Sequence, residues 1–233
     1  MNVLLFGATG MVGQGALRES LLADDVALVQ TIGRTATGQQ HPKLRELVHA
    51  DLFDYSAIEA DLVNFDACFF CIGVSSSGMA EAQYTRLTYE LTMAAAQTLA
   101  RLNPQMTFVY VSGAGADGSE AGKVMWARVR GRLENALQRL PFEAVYVLRP
   151  GIIQPLHGIR SKTGTYRWFY TLVWPVLPLL RRLLPNTVLS TQIVGRAMLA
   201  VARRGALGAD RIRAVLEAAQ ISAIGRGAEV QAK

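Results

Sequence analysis

The sequence predicts an α/β protein with a doubly wound parallel sheet, and three observations support this prediction. First, the chain has 233 residues, of which 51% are hydrophobic and 18% charged; this composition suits one compact core and excludes a disordered chain. Second, strand-like and helix-like segments alternate through about the first 150 residues, which is typical of successive βαβ units. Third, a glycine-rich turn with the sequence GATGMVG separates the first strand from the first helix.

The start of the chain supplies three predicted strands and one predicted helix. Residues 3–6 and 26–32 are short apolar runs that predict strands, and residues 12–22 between them have the apolar spacing of a helix. The turn-rich sequence TATGQQHP follows the second strand. Residues 44–48 then predict a third strand.

The middle of the chain continues the alternation. The continuous apolar run at 67–72 predicts a strand covered on both faces of the sheet. The stretch 80–102 contains neither glycine nor proline, and it predicts one long helix that ends before Asn103 and Pro104. A fifth strand, a helix and a sixth strand are expected at 107–111, 124–140 and 144–148.

The alternation fails beyond the sixth strand. Residues 152–190 are rich in proline, aromatic residues and arginine, and they predict a partly helical cap. A helix is expected again at 189–203, with Ser190 or Thr191 as its N-cap. The rest of the chain predicts a helix or a strand followed by a polar tail.

The charge of the chain is unevenly distributed. Residues 1–122 carry 6 basic and 13 acidic side chains, whereas residues 123–233 carry 18 and 5, and the net charge is +6. Such a step predicts that the second half meets an anionic group, whether a phosphate, a membrane surface or a nucleic acid. No helix-turn-helix or RNP pattern accompanies the basic half, so nucleic-acid binding is not expected.

The cysteines and the first residues bear on the cellular compartment. Cys68 and Cys71 lie in the apolar run ACFFCIG and are expected to be free core side chains, not a disulfide or a redox pair. The first residues, MNVLLFGATG, lack the basic and apolar regions of a signal peptide. A cytoplasmic location is therefore expected.

One apolar segment raises the alternative of membrane contact. Residues 168–180 carry no charge, but at 13 residues, interrupted by Pro175 and Pro178, they are shorter than the roughly 20 residues that span a bilayer. Basic side chains flank this segment on both sides. Peripheral contact with anionic lipid through residues 166–184 is therefore an alternative to a cap that packs on its own domain.

The glycine turn is the strongest functional signal. In GATGMVG, Gly7 permits a tight turn, Gly10 lets the backbone approach a pyrophosphate, and Gly13 lets the helix pack closely on the strand. The anion then lies on the free N–H groups at the start of the helix, near Met11 and Val12. A dinucleotide site is expected, because strand, turn and helix occur in the required order.

The end of the second strand indicates which dinucleotide binds. About 20 residues after the glycine turn a carboxylate would hold a ribose 2′-hydroxyl, but this sequence places Arg34 there. A guanidinium suits a 2′-phosphate and cannot accept a hydrogen bond from a hydroxyl. NADP is therefore preferred to NAD, and the alternative is a surface arginine that contacts no ligand.

The ends of the third and fourth strands complete the expected cofactor site. Parallel strands bind ligands at their carboxyl ends, where the strand order reverses. Residues after the third strand are expected to meet the adenine, and residues after the fourth to border the ribose and the nicotinamide. The first group is Asp51 and Leu52, and the second is Cys71, Ile72 and Gly73.

Seven segments carry a resemblance to a known family: GATGMVG, IGR, HADLFD, CFFCIG, VYVSGAG, VRGRLENAL and LRPGII. Together they resemble the atypical short-chain dehydrogenase/reductases of the NAD(P)-dependent epimerase/dehydratase-like kind, close to the NmrA-like and TIP30-like groups. The resemblance implies an NAD(P)-binding Rossmann domain at 1–155, and a cap with C-terminal helices at 156–233 that completes a single domain. Implied cofactor contacts are Thr9 to Val12 on the pyrophosphate, Arg34 as the recognition residue, and Pro150, Gly151 and Ile152 on the nicotinamide.

The catalytic residues of this family are only partly matched. The family places a serine at the end of the fifth strand, and a tyrosine and a lysine spaced YxxxK on the next helix. Ser112 occupies the serine position, but Trp126 and Arg130 stand in place of the tyrosine and the lysine. Tryptophan has no usable acid–base group and arginine stays protonated. The resemblance thus implies roles for Ser112 and Arg130, which can still bind a ribose or a phosphate, without the usual proton donor.

Two functions remain open. The first is an NADP-dependent oxidoreductase that reduces a small carbonyl or quinone-type compound by hydride transfer, with a substitute acid from elsewhere in the chain. The second is a catalytically silent NADP-binding sensor or interaction protein. The sequence shows no pattern typical of metal sites or serine hydrolases, so neither chemistry is expected. Candidate substitute acids are Tyr84, Tyr89, Lys123, His157 and Tyr166.

Overall fold

The structure, a computed structural model, describes residues 1–159, 188–205 and 211–227. Within this part of the chain, seven parallel strands form one sheet and two short strands form a second. The large sheet contains β1 (Asn2–Phe6), β2 (Leu28–Gly33), β3 (Leu44–Val48), β4 (Ala67–Phe70), β5 (Thr107–Val111), β6 (Ala144–Arg149) and β9 (Ile212–Glu217); the small sheet contains β7 (Ile152–Gln154) and β8 (Val188–Ser190). The order across the large sheet is β3-β2-β1-β4-β5-β6-β9, so the direction of winding reverses between β1 and β4.

Helices cover both faces of the large sheet. The α-helices are α1 (Met11–Leu22), α2 (Glu81–Thr85), α3 (Leu91–Leu102), α4 (Met125–Gln138), α5 (Thr191–Gly205) and α6 (Ala218–Gly225). A 3₁₀ helix spans Ser56–Asp61, and a π-helical turn, Arg86–Glu90, joins α2 to α3. One buried apolar cluster joins the sheet to α1 and α5, and a second joins it to α3 and α4. The predicted doubly wound α/β fold is confirmed.

Alternate residues of the central strands are buried on opposite faces of the sheet. Val3 and Leu5 belong to the cluster with α1 and α5, whereas Leu4 and Phe6 belong to the cluster with α3 and α4. All four side chains are fully buried. A strand that is covered on both faces needs apolar residues at every position, which explains why its sequence is a continuous apolar run.

Helices α1 and α5 pack closely through two glycines. A Cβ on Gly15 would lie 2.6 Å from the carbonyl oxygen of Thr191, and a Cβ on Gly195 would lie 2.8 Å from the carbonyl oxygen of Gly15. Nearby, the buried carboxylate of Glu19 accepts a hydrogen bond from Arg196 at 3.0 Å. These contacts fix the helix that follows the glycine turn against the C-terminal part of the chain.

The predicted elements of the first half are confirmed with small shifts at their ends. β2 begins at Leu28, because the residues before it form a turn in which the N–H of Val26 donates to the carbonyl of Ala23 at 3.3 Å. The long helix predicted at 80–102 is helical from Glu81 to Leu102, through α2, the π-helical turn and α3.

The C-terminal region differs more from the prediction. Leu189 lies in β8, and the helix begins at Thr191, with Ser190 Oγ accepting a hydrogen bond from the N–H of Ile193 at 3.2 Å. The remainder forms both a strand and a helix, and β9 joins the edge of the large sheet beside β6. The predicted cap, including 160–187, lies mostly outside the described residues. Among the helices that are described, none has the length and apolar character needed to cross a membrane.

Candidate functional site

A cleft of about 1110 Å³ lies at the carboxyl ends of the central strands. Its walls come from the segments that follow β1, β2, β4, β5 and β6, around the point where the strand order reverses. Ligands bind at this position in doubly wound sheets. Of the described residues that line the cleft, none is an aspartate or a glutamate, and two are arginines, Arg34 and Arg130. The cleft therefore suits an anionic ligand.

The glycine turn forms the floor of the cleft. Gly7 has a φ of +76°, and a Cβ there would lie 2.8 Å from the carbonyl carbon of Cys71, so only glycine fits. A Cβ on Gly13 would lie 2.1 Å from the carbonyl oxygen of Gly7. Gly13 thus lies behind the turn and outside the lining, whereas the rest of the predicted turn residues line the cleft: Gly7, Thr9, Gly10, Met11 and Val12.

The start of α1 is open to a ligand. Gly10 is the N-cap of this helix, no side chain caps it, and its first turn contains no acidic residue. The first N–H groups of a helix lack partners within the helix, and its dipole favours negative charge at this end. The turn and the helix together therefore fit a pyrophosphate group.

The end of β2 presents basic and hydroxyl groups. Arg34 is exposed and lines the cleft together with Thr35 and Thr37. After β3, Leu52 is buried and lines the cleft, as predicted. The prediction that Asp51 lines the cofactor site needs correction. Its side chain is exposed and lies outside the lining, and its Oδ1 accepts a hydrogen bond from the N–H of Phe53 at 2.9 Å.

The end of β4 brings Cys71, Ile72 and Gly73 into the cleft, as predicted. Both cysteines are free. Burial raises the pKa of the Cys71 thiol to about 12, and burial also raises the pKa of Cys68. The two cysteines are therefore protonated thiols that pack against neighbouring side chains, which is the opposite of the lowered pKa of a reactive thiolate.

Ser112, which follows β5, forms a hydrogen bond with a buried carboxylate. Its hydroxyl donates to Oε1 of Glu134 at 2.5 Å, and Glu134 is only 1% exposed. Arg149 forms a forked ion pair with the same carboxylate and a further bond to Glu217 at 3.1 Å. The hydrogen bonds that Arg149 donates to Glu134 raise the pKa of Arg149. While Ser112 donates to Glu134, its oxygen can only accept a hydrogen bond from a ligand.

Sequence reasoning missed the role of Glu134, although a signal was present. Glu134 follows Arg130 by four residues and Trp126 by eight, so all three share one face of α4. Its ion pair with Arg149 joins residues 15 apart in the sequence, and the spacing along one helix does not reveal such a partner.

Trp126 and Arg130 of α4, which the resemblance aligns with the family's tyrosine and lysine, line the cleft. Nε of Arg130 donates to the hydroxyl oxygen of Tyr84 at 3.0 Å. Nη1 of Arg130 would lie 3.1 Å from a Cβ on Gly113, and Nη2 would lie 3.9 Å from a Cβ on Gly73. The guanidinium thus lies between the ends of β4 and β5, and the absence of side chains on these two glycines makes room for it.

The segment after β6 requires a second correction. Pro150 and Gly151 line the cleft as predicted, but Ile152 does not, and it is 38% exposed. The lining residue is Ile153, which is buried. Successive residues of a strand point in opposite directions, so the prediction was displaced by one position in β7.

Of the candidate substitute acids that the structure describes, Tyr84 is the one that lines the cleft. The ring of Tyr89 lies under the guanidinium of Arg132, 4.5 Å from its carbon, and outside the lining. Lys123 and His157 are exposed and also lie outside the lining. Tyr166 falls outside the described residues, as do residues 166–184, for which membrane contact was considered. Within the described ranges, no group of three or more potential ligand side chains could hold a metal ion.

Solved structures share this fold. A short-chain dehydrogenase family protein from Francisella tularensis has a TM-score of 0.63 at 14% identity, over 93% of this chain and 96% of that one. The Bordetella bronchiseptica enzyme WbmF, solved in complex with NAD⁺, has a TM-score of 0.67 at 15% identity, over 97% of this chain and 76% of that one. At these identities the likeness shows the Rossmann-type fold.

Sequence comparisons support the resemblance to this family. The chain is 30% identical over 159 residues to the mitochondrial protein fmp52 of Emericella nidulans and 31% identical over 159 residues to that of Aspergillus fumigatus. Each match covers 65% of this chain and 66% of the relative, so the chain spans just under two thirds of the length of these relatives. No family model matches the chain. The Fmp52 proteins are atypical short-chain dehydrogenase/reductases. The chain is similar to them over just under two thirds of their length.

The comparison corrects the prediction about the location of the protein. A cytoplasmic location was expected, but the Fmp52 relatives are named as mitochondrial proteins, which contradicts that expectation. The expectation was wrong because free cysteines indicate a reducing compartment without distinguishing the cytosol from others. The predicted family resemblance, in contrast, is confirmed.

Proposed function

We propose that the protein is an NADP-dependent oxidoreductase that reduces a small carbonyl or quinone-type compound by hydride transfer. The observation that carries this proposal is the composition of the cleft. The open N-terminus of α1 and two arginines, Arg34 and Arg130, line the same cleft, and the described residues of this lining include no carboxylate. A dinucleotide with a phosphorylated ribose is the anionic ligand that this arrangement fits best.

The preference for NADP rests on the end of β2. NAD-binding proteins of this fold hold the ribose 2′-hydroxyl with a carboxylate at this position. Here the described lining offers the guanidinium of Arg34 and the hydroxyls of Thr35 and Thr37, which donate hydrogen bonds to a phosphate. WbmF was solved with NAD⁺, so the preference of this chain needs its own test.

The test compares NADP⁺ and NAD⁺ binding by calorimetry in the wild type and in Arg34→Ala. Losing a hydrogen bond to a charged group costs about 1.5–3 kcal/mol, which corresponds to roughly 10- to 150-fold weaker NADP⁺ binding. NAD⁺ affinity is expected to stay the same. Arg45→Ala is the matched control, because Arg45 is an exposed arginine of β3 that pairs with Asp61 and lies outside the lining. If NAD⁺ binds as tightly as NADP⁺ and Arg34→Ala changes neither, the assignment is wrong.

Bound nicotinamide would supply the hydride, and residues of the chain would orient and shield it. Pro150, Gly151 and Ile153 border the cleft beyond β6, and Cys71 and Ile72 form an apolar wall after β4. Arg130 would bind a ribose hydroxyl or a phosphate. Ser112 is placed to accept a hydrogen bond from a ligand, because its own proton is donated to Glu134.

A catalytically silent NADP-binding sensor is the second candidate. The observation that favours it is Trp126 at the position of the family's tyrosine, combined with the commitment of Ser112 to Glu134. Oxidation of NADPH against a panel of aldehydes, ketones and quinones separates the two functions. Turnover with any class supports the oxidoreductase, and zero turnover throughout, with NADPH still bound, supports the sensor.

A further inference from the structure

The cleft holds an acid–base group that does not belong to the YxxxK pattern. Reduction of a carbonyl needs a proton for its oxygen, and Trp126 cannot supply one. The hydroxyl of Ser112 donates its hydrogen bond to Glu134. Tyr110 of β5 lies outside the lining, and burial raises its pKa to about 12. Among the described residues that line the cleft, Tyr84 is the one that carries a phenol.

The start of the helix after β4 fixes the position of Tyr84. Its backbone N–H donates to the carbonyl of Ala80 at 3.0 Å in the first turn of α2. The residue is only 1% exposed overall, yet it lines the cleft. Its ring is therefore held by packing, and its hydroxyl lies beside Arg130.

The hydrogen bond from Arg130 suits proton donation. Nε of Arg130 donates to the hydroxyl oxygen of Tyr84 at 3.0 Å. A hydroxyl that accepts through a lone pair keeps its own proton for donation to another group. A fixed positive charge at this distance also stabilises the phenolate that remains after the proton has left. In the YxxxK arrangement a lysine on the same helix provides that charge, whereas here the tyrosine and the cation come from two different helices.

We propose that Tyr84 is the proton donor of this enzyme and that Arg130 is the cation that supports it. This inference rests on the proposed oxidoreductase function. The carbonyl carbon of the substrate takes up the hydride that NADPH supplies, and the π electron pair of the C=O bond moves to the oxygen. That oxygen takes the hydroxyl proton of Tyr84, which gives the alcohol and NADP⁺. Water then reprotonates the Tyr84 phenolate.

The first experiment compares Tyr84→Phe with Tyr89→Phe as a matched control. Tyr89 lies on the same helical run, but its ring faces Arg132 outside the cleft. General acid catalysis typically contributes about 10²- to 10⁴-fold, so Tyr84→Phe is expected to lower kcat at least 100-fold, while Tyr89→Phe keeps the wild-type rate. NADPH affinity and thermal unfolding midpoints are measured on both variants, to show that the loss is not one of folding or of cofactor binding.

A second readout does not depend on turnover. Tyrosine labelled with ¹³C at Cζ gives seven resonances, and the one that disappears in Tyr84→Phe is assigned to Tyr84. Saturating NADP⁺ is expected to shift this resonance and to leave that of Tyr89 unchanged, because a proton donor must lie close to the nicotinamide. No shift of the Tyr84 resonance would overturn the inference.

The outcomes separate the two proposals. If the wild type reduces carbonyls and Tyr84→Phe retains its rate to within about threefold, Tyr84 is not the donor, and the oxidoreductase function stands. If the wild type turns over no carbonyl or quinone, the proposed function fails and the role of Tyr84 fails with it. Loss of rate in Tyr84→Phe with unchanged NADPH affinity supports both.

Discussion

The buried pair between Glu134 and Arg149 is expected to be a major source of stability beneath the cleft. Glu134 is 1% exposed, and the Arg149 side chain is 17% exposed. Glu134→Ala removes the acceptor of the Ser112 hydrogen bond and one of the two carboxylates that pair with Arg149. The other carboxylate belongs to Glu217, which is about half exposed. Removing one partner of a buried ion pair costs about 3–5 kcal/mol. The free energy of unfolding should fall by that amount.

Two further variants separate charge from volume in this pair. Glu134→Gln keeps the volume and an acceptor for Ser112 but loses the charge, so a smaller cost of about 1.5–3 kcal/mol is expected. Glu217→Gln is the control, since an exposed ion pair contributes no more than about 1 kcal/mol. Urea unfolding, monitored by the fluorescence of the three tryptophans, measures each change in the free energy of unfolding. A cost below 1 kcal/mol for Glu134→Ala, or an equal cost for Glu217→Gln, would refute the reasoning.

Two other predictions concern the glycine turn and an ion pair that responds to pH. Gly13→Ala is expected to abolish NADP⁺ binding and to lower the unfolding midpoint, because its Cβ would overlap a carbonyl oxygen at 2.1 Å; Gly118→Ala, whose Cβ meets nothing closer than 3.9 Å, should do neither in calorimetry and thermal unfolding. The hydrogen bond that Arg203 donates lowers the pKa of Asp25. The ion pair therefore stabilises the folded protein at pH values above the ordinary aspartate pKa of about 3.9. This contribution is lost as the pH falls below that value and Asp25 becomes protonated. Urea titrations should therefore show Arg203→Ala to be slightly less stable than the wild type at pH 7, by less than about 1 kcal/mol for a half-exposed pair, and equal to it near pH 2; a difference that persists at pH 2 would contradict this.

Much of the fold could be predicted because its signals are local. Apolar runs, the glycine turn and the long stretch without glycine or proline each reflect the conformation of neighbouring residues. The strand ends then follow from geometry, since parallel strands place their carboxyl ends at one edge. For this reason Arg34, Leu52 and the residues after β4 were correctly expected at one cleft.

The error after β6 is one of register. Ile152 was expected at the lining position that Ile153 occupies, whereas Asp51 and Leu52 were both expected and, of the two, Leu52 lines the cleft. A shift of one residue in an extended segment reverses the direction of the side chain, and a sequence pattern locates the end of a strand no better than that. Burial of Ile153 settled the direction in β7.

Local sequence therefore accounts for the alternating elements, the open N-terminus of α1 and the basic residue after β2, because each depends on a few adjacent residues. The sequence left five candidate acids for the missing tyrosine, and it placed Glu134 on the same helix face as Trp126 and Arg130 without revealing its partner. The contact of Tyr84 with Arg130, 46 residues apart, and the pairing of Glu134 with Arg149 arise only when β4, β5 and β6 lie side by side and bring separate helices together. Long-range packing of this kind, and not any local pattern, determines which polar groups meet in the cleft.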